Sequence, residues 1–190
     1  MDWEYIHSVI PQFYTAMLVT LKVSVISILL SILLGLLCSI VLVYRMRVLQ
    51  PIVKIYIEVS RNTPLLIQLF FLYYGLARIG VKIDGFYCGV IGLTFLGGSY
   101  MAEAFRAGFQ SIAVGQIDAA KSIGLNHYQV FKFVMFPQAI ALAIPAIGAN
   151  SLFLLKESSV VSAIAIAELL FVTKDLIGID YKTSEALFLL

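Results

Sequence analysis

QSIAVGQIDAAKSIGLNHYQVFKFVMFP, residues Gln110 to Pro137, is the longest part of the chain without the profile of a membrane-spanning segment. It carries a polar face (Gln116, Asp118, Lys121, Ser122, Asn126, His127) and an apolar stripe (Ile117, Ala120, Ile123, Gly124, Val130, Phe131, Val134). Apolar residues at intervals of three and four predict short amphipathic helices. Gly124 is expected to separate two of these helices, and Pro137 to open the apolar helix that follows.

Such a long structured loop between very apolar stretches is typical of a segment that docks a partner. The alternative is a helical hairpin that lies on the bilayer surface. Both interpretations place the loop outside the membrane core.

The composition indicates an integral membrane protein. The chain has 190 residues, of which 61% are hydrophobic and 13% charged, and its mean hydropathy is +0.98. Soluble domains carry about a quarter charged residues. The net charge of +2 is too small to suggest nucleic acid as a partner. Cys38 and Cys88 lie in apolar runs without a Cys/His cluster, so neither a disulfide nor a metal site is expected.

Five apolar segments are expected to be helical, which gives about five transmembrane helices in an all-α fold. The predicted helices are Ala16 to Tyr44, Leu49 to Leu76 with a kink at Pro64, Tyr87 to Phe109, Gln138 to Leu155, and a run that starts at Ser184. The stretch from Lys156 to Thr183 is expected to be irregular and to dip into space lined by protein. The last run ends at Leu190, too early for a span, so we expect the chain to be truncated within it. A single transmembrane domain, residues 1–190, is predicted.

The basic residues give the expected orientation of the chain. With the N-terminus outside, one set faces the cytoplasm (Arg45, Arg47, Lys54, Lys121, Lys132) and another faces outward (Arg78, Lys82, Lys174, Lys182). The short turn with Arg45 and Arg47 favours this choice. The N-terminus lacks the basic region of a cleaved signal peptide. A multi-pass protein of the cell membrane is therefore predicted.

Ionisable residues at membrane depth are the main chemical signal outside the loop. Such groups are costly in lipid and usually face a bundle interior or a solute path. Glu103 and Arg106 share a helix face and can pair. Lys156 and Glu157 are adjacent, so they point in different directions. A packing network, for instance Glu103 with Lys156, and contact with a ligand are both open.

The sequence offers no set of residues for catalysis. It contains no HExxH motif and no Ser/His/Asp arrangement, and its two histidines lie in predicted aqueous segments. Gly92 and Gly97 match the start of a phosphate-binding loop, but Gly98 stands where that loop needs its lysine. Nucleotide binding by this chain is therefore rejected. No cofactor or metal is expected on it.

The loop also has a specific resemblance. Asp118-Ala119-Ala120, three residues, Gly124, nine residues, Val134, one residue and Phe136-Pro137 resemble the EAA loop of ABC importer permeases, Glu-Ala-Ala-x3-Gly-x9-Ile-x-Leu-Pro. Asp, Val and Phe replace Glu, Ile and Leu of that pattern. Further stretches are similar to the polar amino acid (HisMQ-like) subfamily: SRNTPLLIQLFFLYYGL from Ser60, YMAEAFRAGFQSI from Tyr100, FPQAI from Phe136 and LLKESSVVSAI from Leu154. The likeness extends from about Thr15 to the end.

The resemblance implies a type I importer permease in a MetI-like arrangement. Its partners would be a cytoplasmic ABC ATPase dimer that binds ATP and Mg²⁺, a second permease subunit, identical or paralogous, and an extracytoplasmic solute-binding protein. The loop, about residues 110–137, would contain a coupling helix from about Val114 to Ser122 that sits in a groove of the ATPase. The coupling residues implied are Val114, Gly115, Gln116, Asp118, Ala119, Ala120, Ser122 and Gly124.

By the same resemblance the permease would hold one amino acid near mid-membrane. The residues implied for this site are Ser99, Glu103, Asn150, Lys156, Glu157 and Ser158, with Thr63 and Pro64 at a gate. Arg106 is interpreted as structural. A small channel or membrane scaffold is the alternative function, and a membrane enzyme is a third that the missing catalytic set disfavours.

Overall fold

The computed structural model describes residues 1–190, and all of its regular elements are helical. The α-helices are α1 (Trp3–Val43), α2 (Leu49–Asn62), α3 (Leu65–Phe70), α4 (Leu76–Arg78), α5 (Gly85–Gln110), α6 (Val114–Ser122), α7 (His127–Gln129), α8 (Phe136–Glu157), α9 (Leu169–Asp180) and α10 (Thr183–Leu189). Two π-helical segments, Phe71–Gly75 and Val130–Met135, and a 3₁₀ helix, Ser158–Ile164, join some of them. The all-α fold is confirmed.

Three helical runs are long and apolar enough to cross a membrane: Trp3–Val43, Gly85–Gln110 and His127–Ile164. Leu65–Arg78 is a shorter apolar helix. The expected number of about five spans stays a prediction, since length and composition alone identify three.

The first helix begins earlier than predicted, at Trp3 instead of Ala16. Asp2 accepts a hydrogen bond from the amide of Tyr5 at 3.1 Å, which supplies an N-terminal cap. Val9 and Phe13 are buried in a cluster with Leu176 and Ala186. This packing makes the first turns of α1 helical although their sequence is less apolar than the rest of the helix.

The second predicted helix breaks at Thr63 and Pro64, as expected. Pro64 is extended (φ −56°, ψ 139°) and directly precedes α3. A helix needs no hydrogen bond from the backbone amide at this position, so the lack of an amide in proline costs nothing here. The side chain of Gln68 donates to the carbonyl of Thr63 at 2.9 Å and so satisfies the group that the break exposes. The break therefore costs little energy.

After residue 130 one prediction is confirmed and one was wrong. Pro137 lies in the first turn of α8, as predicted, and the helical run reaches it without a break from the π-helical segment Val130–Met135. In that segment the amide of Phe136 bonds to the carbonyl of Phe131, five residues back, and such wide turns accommodate a proline that an α-helix interior would not. The stretch from Lys156 to Thr183, expected to be irregular, contains the 3₁₀ helix and α9. Glu168 caps α9. Such a cap is a local signal for the start of a helix, but the mixed polar and apolar composition of the stretch made it hard to recognise.

Contacts divide the chain into two units. The first consists of residues Met1–Leu29, Thr63–Thr94 and Phe153–Leu190, and the second of Leu30–Asn62 and Phe95–Leu152. In the first unit Gly92 lies so close to Leu69 that an added Cβ would come within 2.8 Å of its Cδ2. The predicted single domain stays a prediction.

The second unit is held together by close helix packing at small residues. A Cβ on Gly98 would come within 2.6 Å of Leu34 Cδ2 and of the Tyr56 hydroxyl, and one on Gly35 within 2.7 Å of the Ala102 amide. Small residues that let helices approach are typical of bundles in lipid. The third predicted helix is rich in glycine and alanine, and contacts such as that of Gly98 give a structural reason for this composition.

Candidate functional site

The loop that begins at Gln110 contains α6, which coincides with the predicted helix from Val114 to Ser122. Its inner side is anchored by Ala120, which is buried, and by Ile117, which packs on a cluster of Phe109, Ile112 and Ala139. Because Phe109 belongs to α5 and Ala139 to α8, the helix rests on both of the long helices that flank the loop. Movement of α6 would therefore be transmitted to both.

The outer side of α6 is open to solvent. The exposed members of the predicted coupling set are Val114, Gly115, Gln116, Asp118, Ala119, Ser122 and Gly124. Val114 is 70% exposed, so the outer side also presents an apolar residue. The carboxylate of Asp118 is 4.0 Å from Lys121, a weak pair because both side chains are largely solvated. A partner can thus reach both an apolar and an acidic group.

The turn after α6 differs from the prediction at one residue. Ile123 was expected in the apolar stripe but is 78% exposed. The helix ends at Ser122 and Gly124 adopts φ +89°, so the chain turns before Ile123 can point inward. The next helix starts with a capping box, in which Asn126 and Gln129 exchange 2.9 Å hydrogen bonds.

Three of the predicted solute residues lie in the second unit, namely Ser99, Glu103 and Asn150. The Ser99 hydroxyl is buried, donates to the carbonyl of Leu96 at 2.7 Å and receives a hydrogen bond from Ser60. Asn150 donates to the carbonyl of Tyr100 at 3.3 Å and so ties α8 to α5. Both side chains hold helices together, and Ser60 is a partner that the sequence alone did not single out.

Glu103 lies in a polar cleft. Its carboxylate accepts a hydrogen bond from Arg106 Nε at 3.1 Å and a second from Arg106 Nη2, while Arg106 also donates to Gln110 at 2.8 Å. The expected pairing of Glu103 with Arg106 is present. Glu103 remains 29% exposed, so one face of the carboxylate is accessible.

The cleft has a volume of about 780 Å³ and is lined by the polar face of α2 together with α5 and the end of α1. Its charged and polar members are Arg45, Gln50, Lys54, Glu58, Arg61, Asn62, Glu103, Arg106 and Gln110. The guanidinium of Arg61 is 5.0 Å from the centre of the Tyr100 ring, a cation–π contact. Glu103 is the only predicted solute residue on this lining. Lys54, Glu58 and Arg61 recur at helical spacing and so form the polar face of α2.

The remaining predicted solute residues belong to the first unit. Thr63 and Pro64 form the break before α3, and Lys156 and Glu157 end α8. Lys156 and the buried Ser158 line a mainly apolar cleft of about 560 Å³ that also includes Glu168 and Thr20. The Ser158 hydroxyl donates to the carbonyl of Leu155 at 2.7 Å.

Glu168 is a buried acid that sequence reasoning missed. It is 1% exposed, and its carboxylate accepts hydrogen bonds from the amides of Leu170 (3.0 Å) and Phe171 (2.7 Å). Burial raises the pKa of Glu168, and the two amides act against this shift. The signal was an acidic residue directly before an apolar run, which is the position of a helix cap.

Comparison with known proteins gives consistent matches. Residues 27–184 match the family described as "Binding-protein-dependent transport system inner membrane component". The probable glutamine ABC transporter permease protein GlnM of Bacillus subtilis is 38% identical over 152 residues, which cover 80% of this chain and 70% of GlnM.

Two solved structures share the architecture. The crystal structure of an amino acid ABC transporter with histidines has a TM-score of 0.88 and 34% identity, covering 99% of this chain and 88% of that one. An inward-facing structure of the MetNI methionine ABC transporter has a TM-score of 0.78 and 18% identity, and the match covers 93% of this chain and 85% of the MetNI chain. The second likeness concerns the fold alone.

Proposed function

This chain belongs to the family of inner membrane components of binding-protein-dependent transport systems, and we propose that it carries polar amino acids into the cell. It is a permease, a membrane component that is not itself catalytic. The relative named for glutamine and the structure with histidines support a polar amino acid as the solute.

The energy for transport would come from a cytoplasmic ABC ATPase dimer, which binds ATP and Mg²⁺. A second permease subunit would complete the membrane part, and an extracytoplasmic solute-binding protein would deliver the amino acid. The N-terminus would lie outside, which puts α6 on the cytoplasmic side with Arg45 and Arg47.

The observation that carries the proposal is the geometry of α6. Its outer side is solvated, while Ile117 rests on residues of both α5 and α8. An element that is anchored on two membrane helices and open on its other side can pass the closure of an ATPase into the membrane. A hairpin on the lipid surface would turn its apolar side to the lipid, whereas Ile117 and Ala120 are covered by the protein itself.

For the solute, the proposal keeps the residues expected from the resemblance. Glu103 is the strongest member, because its carboxylate is partly exposed in a polar cleft and can accept hydrogen bonds from an ammonium group. Lys156, Glu157 and the Thr63–Pro64 break stay candidates. Ser99, Ser158 and Asn150 would support the site through the backbone contacts that they make.

A crosslinking experiment tests the coupling role. Single cysteines at Gln116 and Ser122, both exposed, are introduced into the chain co-expressed with its ATPase. The native Cys38 and Cys88 are buried, so the introduced thiol is the reactive one. We expect crosslinks to the ATPase from both positions. Crosslinks to phospholipid alone would contradict the proposal.

A transport assay tests the solute. Proteoliposomes that contain the complex and ATP are supplied with the binding protein and a panel of radiolabelled amino acids. We expect ATP-dependent accumulation of one or more polar members. Uptake that needs no ATP would instead indicate a channel.

A further inference from the structure

The end of α1 and the start of the helical run at His127 lie side by side. Tyr44 follows the last residue of α1, and its ring centre is 5.5 Å from that of Phe131. Phe131 in turn stacks on Phe109 of α5 at 5.7 Å. Because α1 and the run from His127 both have the length and composition of membrane spans, this junction lies at one end of two candidate spans.

The junction is basic. Arg45 and Arg47 follow Tyr44, and Lys132 lies next to Phe131. All three side chains are exposed, and none forms a salt bridge. No acidic residue occurs in residues 43–48 or 126–138. The surface therefore holds cations without local counter-charges.

Aromatic rings lie beside Lys132, and an exposed apolar residue follows Arg47 in the sequence. The Lys132 ammonium is 5.8 Å from the ring centre of Tyr128 and 5.5 Å from that of Phe133, and both rings are more than 60% exposed. Val48 is 76% exposed on the other segment. Aromatic rings beside lysine at the end of a span are typical of the membrane–water interface.

Arg45 differs from the other two cations. It adopts φ +50° and lines the cleft that contains Arg106 and Gln110. Its backbone conformation turns the chain between α1 and α2, and Arg47, in the same turn, does not line that cleft. We therefore assign the surface to Arg47 and Lys132, with Tyr44, Tyr128 and Phe133 as its aromatic rim.

We propose that this surface binds the headgroup of an anionic phospholipid at the membrane face where α6 lies. The phosphate would meet Arg47 and Lys132, and the acyl chains would follow the exposed apolar side of the run from His127. The inference rests on membership of a membrane family and is independent of the proposed solute.

The test compares the affinity of the purified full complex for phosphatidylglycerol and phosphatidylcholine by native mass spectrometry. Removing one cation near an anionic surface weakens binding about fivefold, so Arg47→Gln with Lys132→Gln should weaken phosphatidylglycerol binding about 25-fold. Phosphatidylcholine binding should not change. Arg78→Gln with Lys82→Gln, a second exposed pair of cations near Asp84, is the matched control and should keep the preference.

Three results would overturn the proposal. Equal phosphatidylglycerol binding by the wild type and the Arg47/Lys132 variant would exclude the surface. Displacement of the lipid by millimolar inorganic phosphate would indicate a small-anion site instead. Loss of the ATPase from the complex with lipid binding intact would assign the surface to a protein interface. If the glutamine variant does not fold, Arg47→Lys with Lys132→Arg should keep the lipid preference, and its loss in a folded protein would also refute the proposal.

Discussion

The backbone of Gly108 in α5 lies directly against the carbonyl oxygen of Ala139 in α8. These two residues stand just before and just after the loop that contains α6. A side chain of any size at residue 108 would push the two helices apart. The loop therefore starts and ends at a point where the helices are in close backbone contact.

We expect Gly108→Ala to destabilise the protein. The added methyl group meets a backbone atom, which cannot rotate away, so overpacking should cost about 2 to 3 kcal/mol. Thermal unfolding in detergent measures the effect. Gly148→Ala in α8 is the control, because nothing lies within 4 Å of its added Cβ and alanine favours a helix by about 0.5 to 1 kcal/mol. Equal stability of the two variants would contradict the close contact.

We expect Gly124→Val to uncouple ATP hydrolysis from transport while the protein stays inserted. Gly124 has φ +89° and open space around it, so the penalty of about 1 to 2 kcal/mol comes from backbone conformation alone and should reorient the end of α6. Solute-stimulated ATPase activity is the measurement. Asparagine tolerates positive φ, so Gly124→Asn should retain most coupling. Equal losses from Val and Asn would mean that side-chain bulk matters instead.

We expect Glu103→Gln to reduce kcat/KM for uptake about 10- to 100-fold, the range for losing a hydrogen bond to a charged group. Stability should change by less than about 1 kcal/mol, because the pair with Arg106 is one-third exposed. Arg106→Gln leaves the carboxylate in place and should retain most uptake. If both variants lose uptake and stability alike, Glu103 serves packing and not the solute.

The contact between Asp2 and Lys182 should be insensitive to pH across the neutral range. The two side chains are 3.0 Å apart. Hydrogen bonds from the Tyr5 amide and from Lys182 lower the pKa of Asp2, and the bond to Asp2 raises the pKa of Lys182. The stabilisation is therefore complete between the unfolded values of about 3.9 and 10.4, and is lost only below the folded pKa of Asp2 or above that of Lys182.

Trp3 reports on this contact, since it is the only tryptophan and its ring centre is 6.2 Å from that of Phe188. We expect its emission to be constant from about pH 9 to about pH 5 and to shift only below about pH 3.9. Asp2→Asn should show the shifted spectrum already at neutral pH. A transition near pH 6 to 7 would mean that another group controls this end of α1.

Helix positions were predictable where local signals agreed with packing. Periodicity predicted short amphipathic helices in the loop, and the resemblance to the EAA loop implied the bounds that α6 has. The break at Pro64 and the turn at Gly124 follow from the missing proline amide and from the freedom of glycine to adopt positive φ. These features depend on nearby residues and so appear in a single sequence.

What could not be predicted depends on distant contacts. The first turns of α1 are helical because Val9 and Phe13 pack on α9 and α10, far along the chain. The role of Ser99 at a solute site stays a prediction, and the hydrogen bond that Ser99 receives from Ser60 of α2, 39 residues away, could not be predicted. The cap at Glu168 was a local signal that was overlooked, but the burial of its carboxylate depends on tertiary packing. Such pairings are decided by tertiary structure and not by local pattern.

The π-helical segment Val130–Met135 fixes the rotational phase of everything after it. A wide turn holds a surplus residue relative to an α turn, which rotates the following helix by about 100°. This rotation presents Ala139, and not a bulkier neighbour, to Gly108. Deleting one residue from the π-helical segment would place a larger side chain opposite Gly108. A single extra residue therefore determines how closely α5 and α8 approach at the two ends of the loop.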